Sequence, residues 1–323
     1  MCVRNYILLL FFLLPYESLM AQVNIEWIKY KNPRDIILDN NRIYVAYMDS
    51  LFKYEVSGKI EWAKKIPFDS IKPGQGLKNV ELNSKKEIVA GGSFWDTTLN
   101  QGNFFLYKYD TLLNVSWLMD SIGDGFLIVD NKNNIYAYDK SWDLVKMDNG
   151  GNILWRDSII WCNYVDELGN IYYFRTTNGI YYIFKYDSVR IKQWEYQFPG
   201  ISITVEAVGI GEIDEYGNVY SWGWMMGYCG GDQDYFALKV DCTGTQLWTA
   251  CYNGTGNYVD KAYALAVDKN GGVYLTGESC PPGCGGANTN QNMVTVKYDS
   301  SGVQQWVRTY SRPGGGYAHG YTI

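Results

Sequence analysis

The stretch KYDSSGVQQWVRTY (297–310) places a lysine, an acidic turn and a tryptophan at fixed offsets, and the chain repeats this arrangement. In every copy an acidic residue follows the lysine by two positions, and a tryptophan follows seven positions after that. The copies are KYEVSGKIEW (53–62), KYDTLLNVSW (108–117), KMDNGGNILW (146–155), KYDSVRIKQW (185–194), KVDCTGTQLW (239–248) and KYDSSGVQQW (297–306). Because self-similarity of this kind marks repeat architectures, the sequence predicts stacked, related units.

A second motif precedes each copy and has the composition of a tight turn between two strands. Asp or Asn accepts hydrogen bonds from turn amides, Gly or Asn adopts the positive φ that such turns need, and the flanking Ile, Val and Tyr favour strands. The motif occurs as LDNNRIYVA (38–46), LNSKKEIVAGG (82–92), VDNKNNIYAY (129–138), VDELGNIYYF (165–174), IDEYGNVYSWG (213–223) and VDKNGGVYLTG (267–277). Each repeat therefore reads as four strands, A to D, with turns joining A to B and C to D.

A single four-stranded sheet cannot bury both of its faces, so the repeats must stack on one another. Radial stacking of such sheets is a β-propeller. We expect an all-β propeller of four-stranded blades, with six full repeats plus a partial seventh. The tryptophan of each D strand is then structural, a large apolar side chain between blades. These tryptophans are Trp62, Trp117, Trp155, Trp194, Trp248 and Trp306.

The pairing of VD..G.VY.TG with KYDSSG...W resembles the bacterial β-propeller repeat family called SBBP. That family is common among exported bacterial proteins and usually lacks an assigned chemistry. The resemblance covers nearly all of residues 23–323 and is closest in 239–310. It is weaker in the first two repeats, where Glu55 replaces Asp and Leu113 replaces the turn Gly.

A narrower resemblance concerns the turn between strands C and D. Asp148, Asp241 and Asp299, each with Gly three positions later and Trp seven later, resemble the tryptophan-docking hairpin of quinoprotein dehydrogenases. That hairpin also occurs in a non-enzymatic propeller of outer-membrane protein assembly, so it implies a folding device and not a cofactor. The dehydrogenases usually carry two adjacent cysteines under their cofactor, and this chain has no such pair. We expect no cofactor.

Composition and the amino terminus indicate an exported globular protein. The net charge is −6 without a basic tract, which gives no reason to expect a nucleic-acid partner. Residues 1–21 have the pattern of a signal peptide, with Arg4 ahead of the apolar run 6–14, which is too short to span a bilayer. Cleavage after Ala21 would leave a propeller over 22–323, secreted or at the cell surface. No later segment is predicted to cross a membrane.

Both ends of the chain contain part of a further repeat. VNIEWIKYKN (23–32) is predicted to be a lone D strand with Trp27 in the docking position, and GGGYAHGYTI (314–323) aligns with the start of an A strand. Together they are the outer and inner strands of a seventh blade whose middle strands are missing. Either the ring closes imperfectly or the chain is C-terminally incomplete.

Six cysteines remain after signal cleavage, and an even number in an exported chain permits disulfides. Cys280 and Cys284, within CPPGC, could close a small loop. Cys242 and Cys251 flank one hairpin strand, and Cys162 lies in an apolar run typical of a buried thiol. A zinc site would need four ligands at defined spacing, and the chain has only one histidine, so the sequence does not favour zinc binding.

Catalytic, calcium and dinucleotide motifs are weak throughout. His319 is the only histidine, and we expect the chain end to hold it too loosely for catalysis. Neither DNKNN (130–134) nor DKNGG (268–272) completes the ligand spacing of a calcium loop, and GIGEID (209–214) lacks the helix that follows a dinucleotide fingerprint. We expect no catalytic residue and no metal.

The long B–C connections are the candidate ligand-binding segments. They are GGSFWDTTLNQGN (91–103), WGWMMGYCGGDQD (222–234) and GESCPPGCGGANTNQN (277–292), which should project from the same face of the ring. Trp95, Trp224 and Tyr228 could stack against a sugar or a peptide. Alternatively, these glycine-rich loops only decorate blade edges and Trp224 packs inward.

The sequence favours an exported propeller that acts as a binding or display module, with a carbohydrate or protein ligand on the loop face and no catalysis. Two alternatives stay open. One is a polysaccharide-active lyase or hydrolase that uses acidic and tyrosine residues of the loop face. The other is a purely structural cell-surface repeat module. The ligand, the exact blade number, the disulfide connectivity and the oligomeric state do not follow from the sequence.

Overall fold

The computed structural model describes residues 35–66, 76–96, 101–158, 162–178, 180–198, 205–226, 229–230, 232–284, 291–314, 316–320 and 323. Across these residues the strands form six four-stranded antiparallel sheets, and each sheet corresponds to one sequence repeat with its strands in the order A-B-C-D. The expected all-β class and the four strands per repeat are confirmed. The expected signal peptide (1–21) and the lone D strand (23–32) lie outside the described residues.

The chain divides into two compact units, and the first, residues 1–161 and 165–169, holds sheets 1 to 3. Sheet 1 consists of β1 (Asp35–Asp39), β2 (Arg42–Tyr47), β3 (Ser50–Glu55) and β4 (Ile60–Lys65). Sheet 2 consists of β5 (Gly76–Leu82), β6 (Ile88–Asp96), β7 (Gln101–Tyr109) and β8 (Val115–Asp120). Sheet 3 consists of β9 (Ile122–Val129), β10 (Ile135–Asp139), β11 (Leu144–Met147) and β12 (Ile153–Asp157).

The second unit, residues 162–164 and 170–323, holds sheets 4 to 6. Sheet 4 consists of β13 (Tyr164–Val165), β14 (Ile171–Thr177), β15 (Ile180–Tyr186) and β16 (Lys192–Gln197). Sheet 5 consists of β17 (Val205–Ile213), β18 (Val219–Met226), β19 (Gln233–Val240) and β20 (Gln246–Tyr252). Sheet 6 consists of β21 (Asp260–Val267), β22 (Val273–Ser279), β23 (Asn292–Tyr298) and β24 (Gln304–Tyr310).

Within each unit the core lies between neighbouring sheets. In the first unit, Leu51 of sheet 1 and Phe105 of sheet 2 are buried in one cluster. In the second, Ile183 of sheet 4 shares a cluster with Phe236 of sheet 5. The B and C strands supply most of these side chains, and their apolar surface is removed from water only when sheets stack, which is the driving force for the arrangement.

Tryptophans of the D strands connect adjacent sheets inside each unit. Trp117 Nε1 donates a hydrogen bond to the carbonyl oxygen of Asn149 in the next sheet at 3.2 Å. Trp194 Nε1 does the same to Cys242 at 2.8 Å. Each acceptor directly follows the turn aspartate. Two residues further, Gly244 has φ +89°, and a Cβ there would lie 3.0 Å from the Trp194 ring. A glycine at this turn therefore makes room for the indole.

A cross-strand row of Tyr, Lys and Trp recurs in five of the described sheets and gives the repeated lysine its role. The three residues are direct partners in the register of strands B, C and D. The ammonium lies 4.7 to 5.5 Å from the Tyr ring centroid, a cation–π contact. The Trp ring meets the same Tyr edge-on at 5.9 to 6.3 Å. The rows are Tyr44–Lys53–Trp62, Tyr136–Lys146–Trp155, Tyr172–Lys185–Trp194, Tyr220–Lys239–Trp248 and Tyr274–Lys297–Trp306.

Sheet 2 replaces the tyrosine of this row with Val89, the register partner of Lys108. The buried Lys108 ammonium instead pairs with Glu87 at 2.8 Å and donates to the carbonyl of Asn149 at 3.1 Å. A buried cation needs a compensating partner, and here a carboxylate takes over from the aromatic ring.

Two of the expected B–C loops are largely strand. β6 extends to Asp96 and β7 begins at Gln101, while β18 extends to Met226 and β19 begins at Gln233. The expected loops 91–103 and 222–234 are therefore much shorter than predicted. Backbone pairing along these hairpins satisfies amides and carbonyls that a loop would leave to water.

The glycines that suggested a loop at residue 91 have a different cause. A Cβ on Gly91 would lie 2.6 Å from the carbonyl oxygen of Gly123 in the first strand of sheet 3, so this glycine permits a close approach of two backbones. The third connection does remain long, because β22 ends at Ser279 and β23 begins at Asn292.

Residues 316–320, from the partial seventh repeat, follow sheet 6 and lie along its B–C end, the end at which strand B stops and strand C begins. Ala318 N donates to the carbonyl of Gln291 at 2.9 Å, and Gly320 N donates to the carbonyl of Gly277 at 3.2 Å. These bonds bring Tyr317 and His319 to the B–C end.

Candidate functional site

Four rings meet at the B–C ends of sheets 5 and 6. Trp224 of β18 contacts Tyr263 of β21 edge-on, with ring centroids 5.7 Å apart. Tyr263 lies 6.3 Å from His319, and His319 stacks on Tyr317 at 5.6 Å with an interplanar angle of 12°. We call these four residues the aromatic patch. Three separate chain segments contribute to it.

The patch combines apolar ring faces with hydrogen-bond donors. Trp224 is half-buried, and its Nε1 is buried without a hydrogen-bond acceptor among the described residues. The ammonium of Lys261 lies 5.6 Å from the Trp224 ring centroid. Tyr317 is 47% exposed. The patch therefore has one solvent-facing ring, one cation and one indole N–H that is buried.

His319 has a specific contact, which the expectation of a loosely held chain end did not include. Its Nδ1 contacts Oε2 of Glu278, a buried residue of β22. The other carboxylate oxygen of Glu278 accepts a hydrogen bond from Gln291 Nε2 at 3.3 Å, and the Gln291 carbonyl binds the Ala318 amide. Sequence reasoning missed this contact because Glu278 belongs to strand B of the preceding repeat, and no local motif links it to the histidine.

Two buried carboxylates lie at the same ends of the sheets. Asp234 Oδ2 accepts a hydrogen bond from Cys229 N at 3.2 Å, and Asp260 Oδ2 accepts one from Gly254 N at 2.6 Å. Burial raises the pKa of Asp260 to about 6; the nearby Asp234 charge also raises this pKa, whereas a hydrogen bond from Ser279 opposes the rise. Asp260 therefore changes its charge in the mildly acidic range.

Disulfides fix the connections around this region. They are Cys229–Cys251 and Cys280–Cys284, with Cα atoms 6.3 Å and 5.9 Å apart. Cys251 thus pairs with Cys229, and Cys242 is an exposed thiol in the C–D turn of sheet 5. Cys162 is a buried thiol whose pKa is raised by burial.

The three sequence-predicted ligand residues do not share one described site. Trp224 belongs to the aromatic patch of the second unit. Trp95 is half-buried on β6 in the first unit, opposite Gly102 in the strand register. Tyr228 lies outside the described residues. The other three rings of the patch were not predicted as ligand contacts, because they lie in strand A and in the last segment, outside the long B–C connections.

Metal and membrane features were also sought. Within the part of the chain that the structure describes, no group of three or more His, Cys, Asp or Glu side chains is arranged to hold a metal ion. In the same residues there is no helix long and apolar enough to cross a membrane.

No protein-family model and no curated protein matches the chain. Among solved structures, it is similar to the Dos1 propeller, with a TM-score of 0.51 and 11% identity over 85% of this chain and 72% of that one. It is also similar to BBS1N in a complex with ARL6DN (TM-score 0.48, 10% identity, 87% and 79% covered). A third is a protein of unknown function from Bacteroides caccae (TM-score 0.41, 12% identity, 84% and 90% covered). The likeness to the Dos1 propeller, with the four-stranded sheets, shows a β-propeller fold.

Proposed function

We propose that this β-propeller is an exported binding or display module whose ligand contacts the aromatic patch. The observation that carries the proposal is the Trp224 indole, whose buried N–H has no acceptor among the described residues. A buried donor without an acceptor costs about 1–3 kcal/mol, and a ligand oxygen that reached it would recover part of that cost. Tyr317 extends the patch into solvent, where a ligand can arrive.

The chemistry of the patch suits a carbohydrate or a peptide segment. Flat rings such as Tyr317 pack against the apolar face of a sugar or against an apolar side chain. The Lys261 ammonium can donate to hydroxyl, carbonyl or carboxylate oxygens, and the buried Trp224 N–H can do so once the side chains that cover it move. Sites that combine apolar walls with a few placed polar groups are the usual form of ligand sites.

Screening residues 22–323 on glycan and peptide arrays tests this proposal. We expect binding by the wild type and weaker binding by Trp224→Ala, because that variant removes both the ring face and the donor. Tyr310→Ala is the matched control, since Tyr310 is an exposed aromatic of β24 outside the patch. Full binding by Trp224→Ala would exclude the patch as the site.

A polysaccharide-active lyase or hydrolase is the second candidate, and it has support at the same place. Glu278 orients His319 next to Tyr263, and such a group of acid, imidazole and phenol is able to transfer protons. Depolymerisation assays on the wild type and on His319→Ala decide between the candidates. Cleavage by the wild type alone favours the enzyme, whereas binding without cleavage favours the module. Neither binding nor cleavage favours a purely structural cell-surface repeat.

The proposal includes membership of the SBBP-type repeat family with tryptophan-docking hairpins. Its support is the hydrogen bond from Trp117 and from Trp194 to the C–D turn of the next sheet. Export is tested by amino-terminal sequencing of secreted material, which we expect to begin at Gln22. Secreted material that begins at Met1 would count against signal cleavage.

A further inference from the structure

A second aromatic cluster lies in the first unit, at the B–C ends of sheets 2 and 3. Trp142, in the turn between β10 and β11, meets Phe104 of β7 edge-on at 5.9 Å and lies 6.1 Å from Tyr138. Phe126 of β9 lies 5.3 Å from Tyr138. Trp142 is 54% exposed, whereas the other three rings are half-buried. The cluster therefore supports one ring that faces solvent.

The turn that carries Trp142 is fixed in an unusual conformation. Trp142 has φ +64°, a left-handed geometry that bulky residues avoid. Asp139 holds the turn: its Oδ1 accepts hydrogen bonds from the amides of Ser141 at 2.8 Å and Asp143 at 3.1 Å, and its carbonyl accepts one from Trp142 N at 2.9 Å. Arg156 pairs with the other carboxylate oxygen at 3.3 Å. The indole is thus presented by a rigid support.

Packing accounts for only part of the Trp142 side chain, which contacts two rings and is otherwise exposed. In the C–D turn of sheet 3 the corresponding positive-φ residue is Gly151, which adopts this geometry readily. In the C–D turn of sheet 2 it is Leu113, which packs against the core beside Trp62. Trp142 keeps more than half of its side chain in water instead. Arg190 of sheet 4 is likewise exposed with φ +71°, so the distinctive feature of Trp142 is its exposed ring on an aromatic support and not the backbone strain.

We propose that Trp142, supported by Phe104 and Tyr138, is a stacking site for one sugar ring of a glycan. A pyranose has an apolar face of C–H groups that covers an indole, and hydroxyls at its rim that need hydrogen-bond partners. The exposed Lys140 and Ser141, which directly precede Trp142 in the same turn, supply such partners. The exposed ring matches the width of a single sugar.

A protein partner fits this surface less well. A stable protein–protein interface buries roughly 800 Å² on each side around an apolar centre. Trp142 is the one largely exposed ring of this described cluster, and the exposed Lys140 lies two residues before it. The site therefore matches a small ring with polar edges better than a broad apolar surface.

Strand register places Trp95 on the same side of sheet 2. Ser93 is the register partner of Phe104, and Trp95 lies two residues beyond Ser93 on β6. Because side chains alternate between the faces of a strand, Trp95 and Phe104 share one face. A glycan longer than one ring could therefore extend from Trp142 past Phe104 towards Trp95 along the β6–β7 hairpin.

Affinity electrophoresis tests the proposal with residues 22–323 in gels that contain a soluble β-glucan, α-glucan, xylan or galacturonan. We expect at least one gel to retard the wild type, and Trp142→Gly to weaken that binding about tenfold. Glycine tolerates φ +64°, so this variant should keep the wild-type circular dichroism spectrum. Trp142→Asn is the second variant, since asparagine also tolerates this geometry.

The controls separate the stacking site from other causes. Leu113→Gly relieves the same backbone strain in another turn of the unit and should leave retardation unchanged. Tyr310→Ala should also leave it unchanged, because this exposed aromatic of β24 lies outside this cluster and outside the aromatic patch. A loss of retardation in Trp224→Ala that both Trp142 variants lack would instead place the glycan on the aromatic patch. No retardation of the wild type by any of the four glycans would overturn the inference. So would unchanged retardation of both Trp142 variants, or an equal loss in Leu113→Gly.

Discussion

The indole nitrogen of Trp248 donates a hydrogen bond to the backbone carbonyl of Ser300 at 3.0 Å, from sheet 5 to sheet 6. Two residues later Gly302 has φ +84°, and a Cβ there would lie 2.8 Å from the Trp248 ring. The turn of sheet 6 is therefore shaped around the side chain of sheet 5. This relationship makes the two positions energetically dependent on each other.

Substitution at both positions should reveal that dependence. Trp248→Ala removes a half-buried ring and its hydrogen bond, and we expect a loss of about 3–5 kcal/mol in the free energy of unfolding. Gly302→Ala should also destabilise, because its methyl group would overlap the indole. In the double variant the overlap is gone, so the two losses should be less than additive by roughly 1 kcal/mol. Urea denaturation of the four proteins measures this coupling.

Gly217→Ala is the control for backbone strain alone. Gly217 has φ +80°, and a Cβ there would meet Cys242 at 3.2 Å and not the indole of Trp248. The stability lost in Gly217→Ala should add fully to the stability lost in Trp248→Ala. Additive losses for the Gly302 pair would contradict the docking relationship.

The pH dependence of stability should carry the signature of Asp260. Its pKa is raised to about 6 by burial, above the ordinary value of 3.8, so the folded state binds the proton more tightly than the unfolded state. Stability should therefore fall as pH rises from about 4 to 6, by roughly 3 kcal/mol from this group at most. Asp260→Asn should remove that fall, so its melting temperature relative to the wild type should rise between pH 4 and pH 7.5.

Asp299 is the control, because its contribution should make stability change with pH in the opposite direction. The hydroxyl of Ser301 and the turn amides, including that of Val303, hydrogen-bond its carboxylate and lower its pKa. Its contribution to stability is present above the ordinary carboxyl pKa and disappears as pH falls through the lowered value. Asp299→Asn should thus destabilise at pH 7.5 and less at low pH. Parallel melting profiles for the two variants would refute the assigned environments.

Thiol chemistry should distinguish the cysteines. In the native chain that begins at Gln22, we expect iodoacetamide to label Cys242, which is exposed, and not Cys162, which is buried with a raised pKa. Chain entropy predicts that loss of Cys229–Cys251 costs about 3 kcal/mol and loss of Cys280–Cys284 about 2 kcal/mol. Peptide mapping after labelling, with and without denaturant, tests this. Labelling of Cys162 in the native protein would contradict its buried position.

The Glu87–Lys108 ion pair of sheet 2 should contribute more to the free energy of unfolding than the more exposed Glu61–Lys53 pair of sheet 1. Glu87→Gln leaves the buried Lys108 without a full counter-charge, and we expect a loss of about 1–3 kcal/mol. Glu61→Gln breaks the pair with Lys53, which keeps the cation–π contact to Tyr44, so its loss should be smaller. Equal denaturation midpoints for the two variants would show that the carboxylate does not compensate for the missing tyrosine.

The fold could be predicted because each repeat contains the same strand and turn signals. A turn aspartate, a positive-φ glycine and strand-forming residues recur at fixed offsets, so local chemistry alone yields four strands. The role of the repeated lysine could not be predicted, since Lys297 and Tyr274 meet only across paired strands. Gly91 was assigned to a long B–C connection, because sequence does not show which backbone approaches it.

The site was less predictable than the fold. Trp224 could be singled out by residue type, whereas its neighbours come from distant strands and from the last segment. The contact of His319 with Glu278 depends on where residues 316–320 lie against sheet 6, which no local motif encodes. The sequence does contain a signal for Trp142. It lies three positions after the turn-forming Asp139, at a position where such turns favour glycine, and an aromatic residue there is uncommon.

The hydrogen bonds of Trp194 and Trp248 both run from an earlier sheet to a later one. A nascent chain therefore leaves the ribosome with each indole still lacking its acceptor, which follows 48 residues later for Trp194 and 52 residues later for Trp248. During that interval the indole of the last completed sheet has no hydrogen-bond acceptor from the next turn. A product truncated between two repeats therefore keeps an indole without its docking turn at its last sheet, so the order of synthesis leaves each sheet incompletely stabilised until the next one follows.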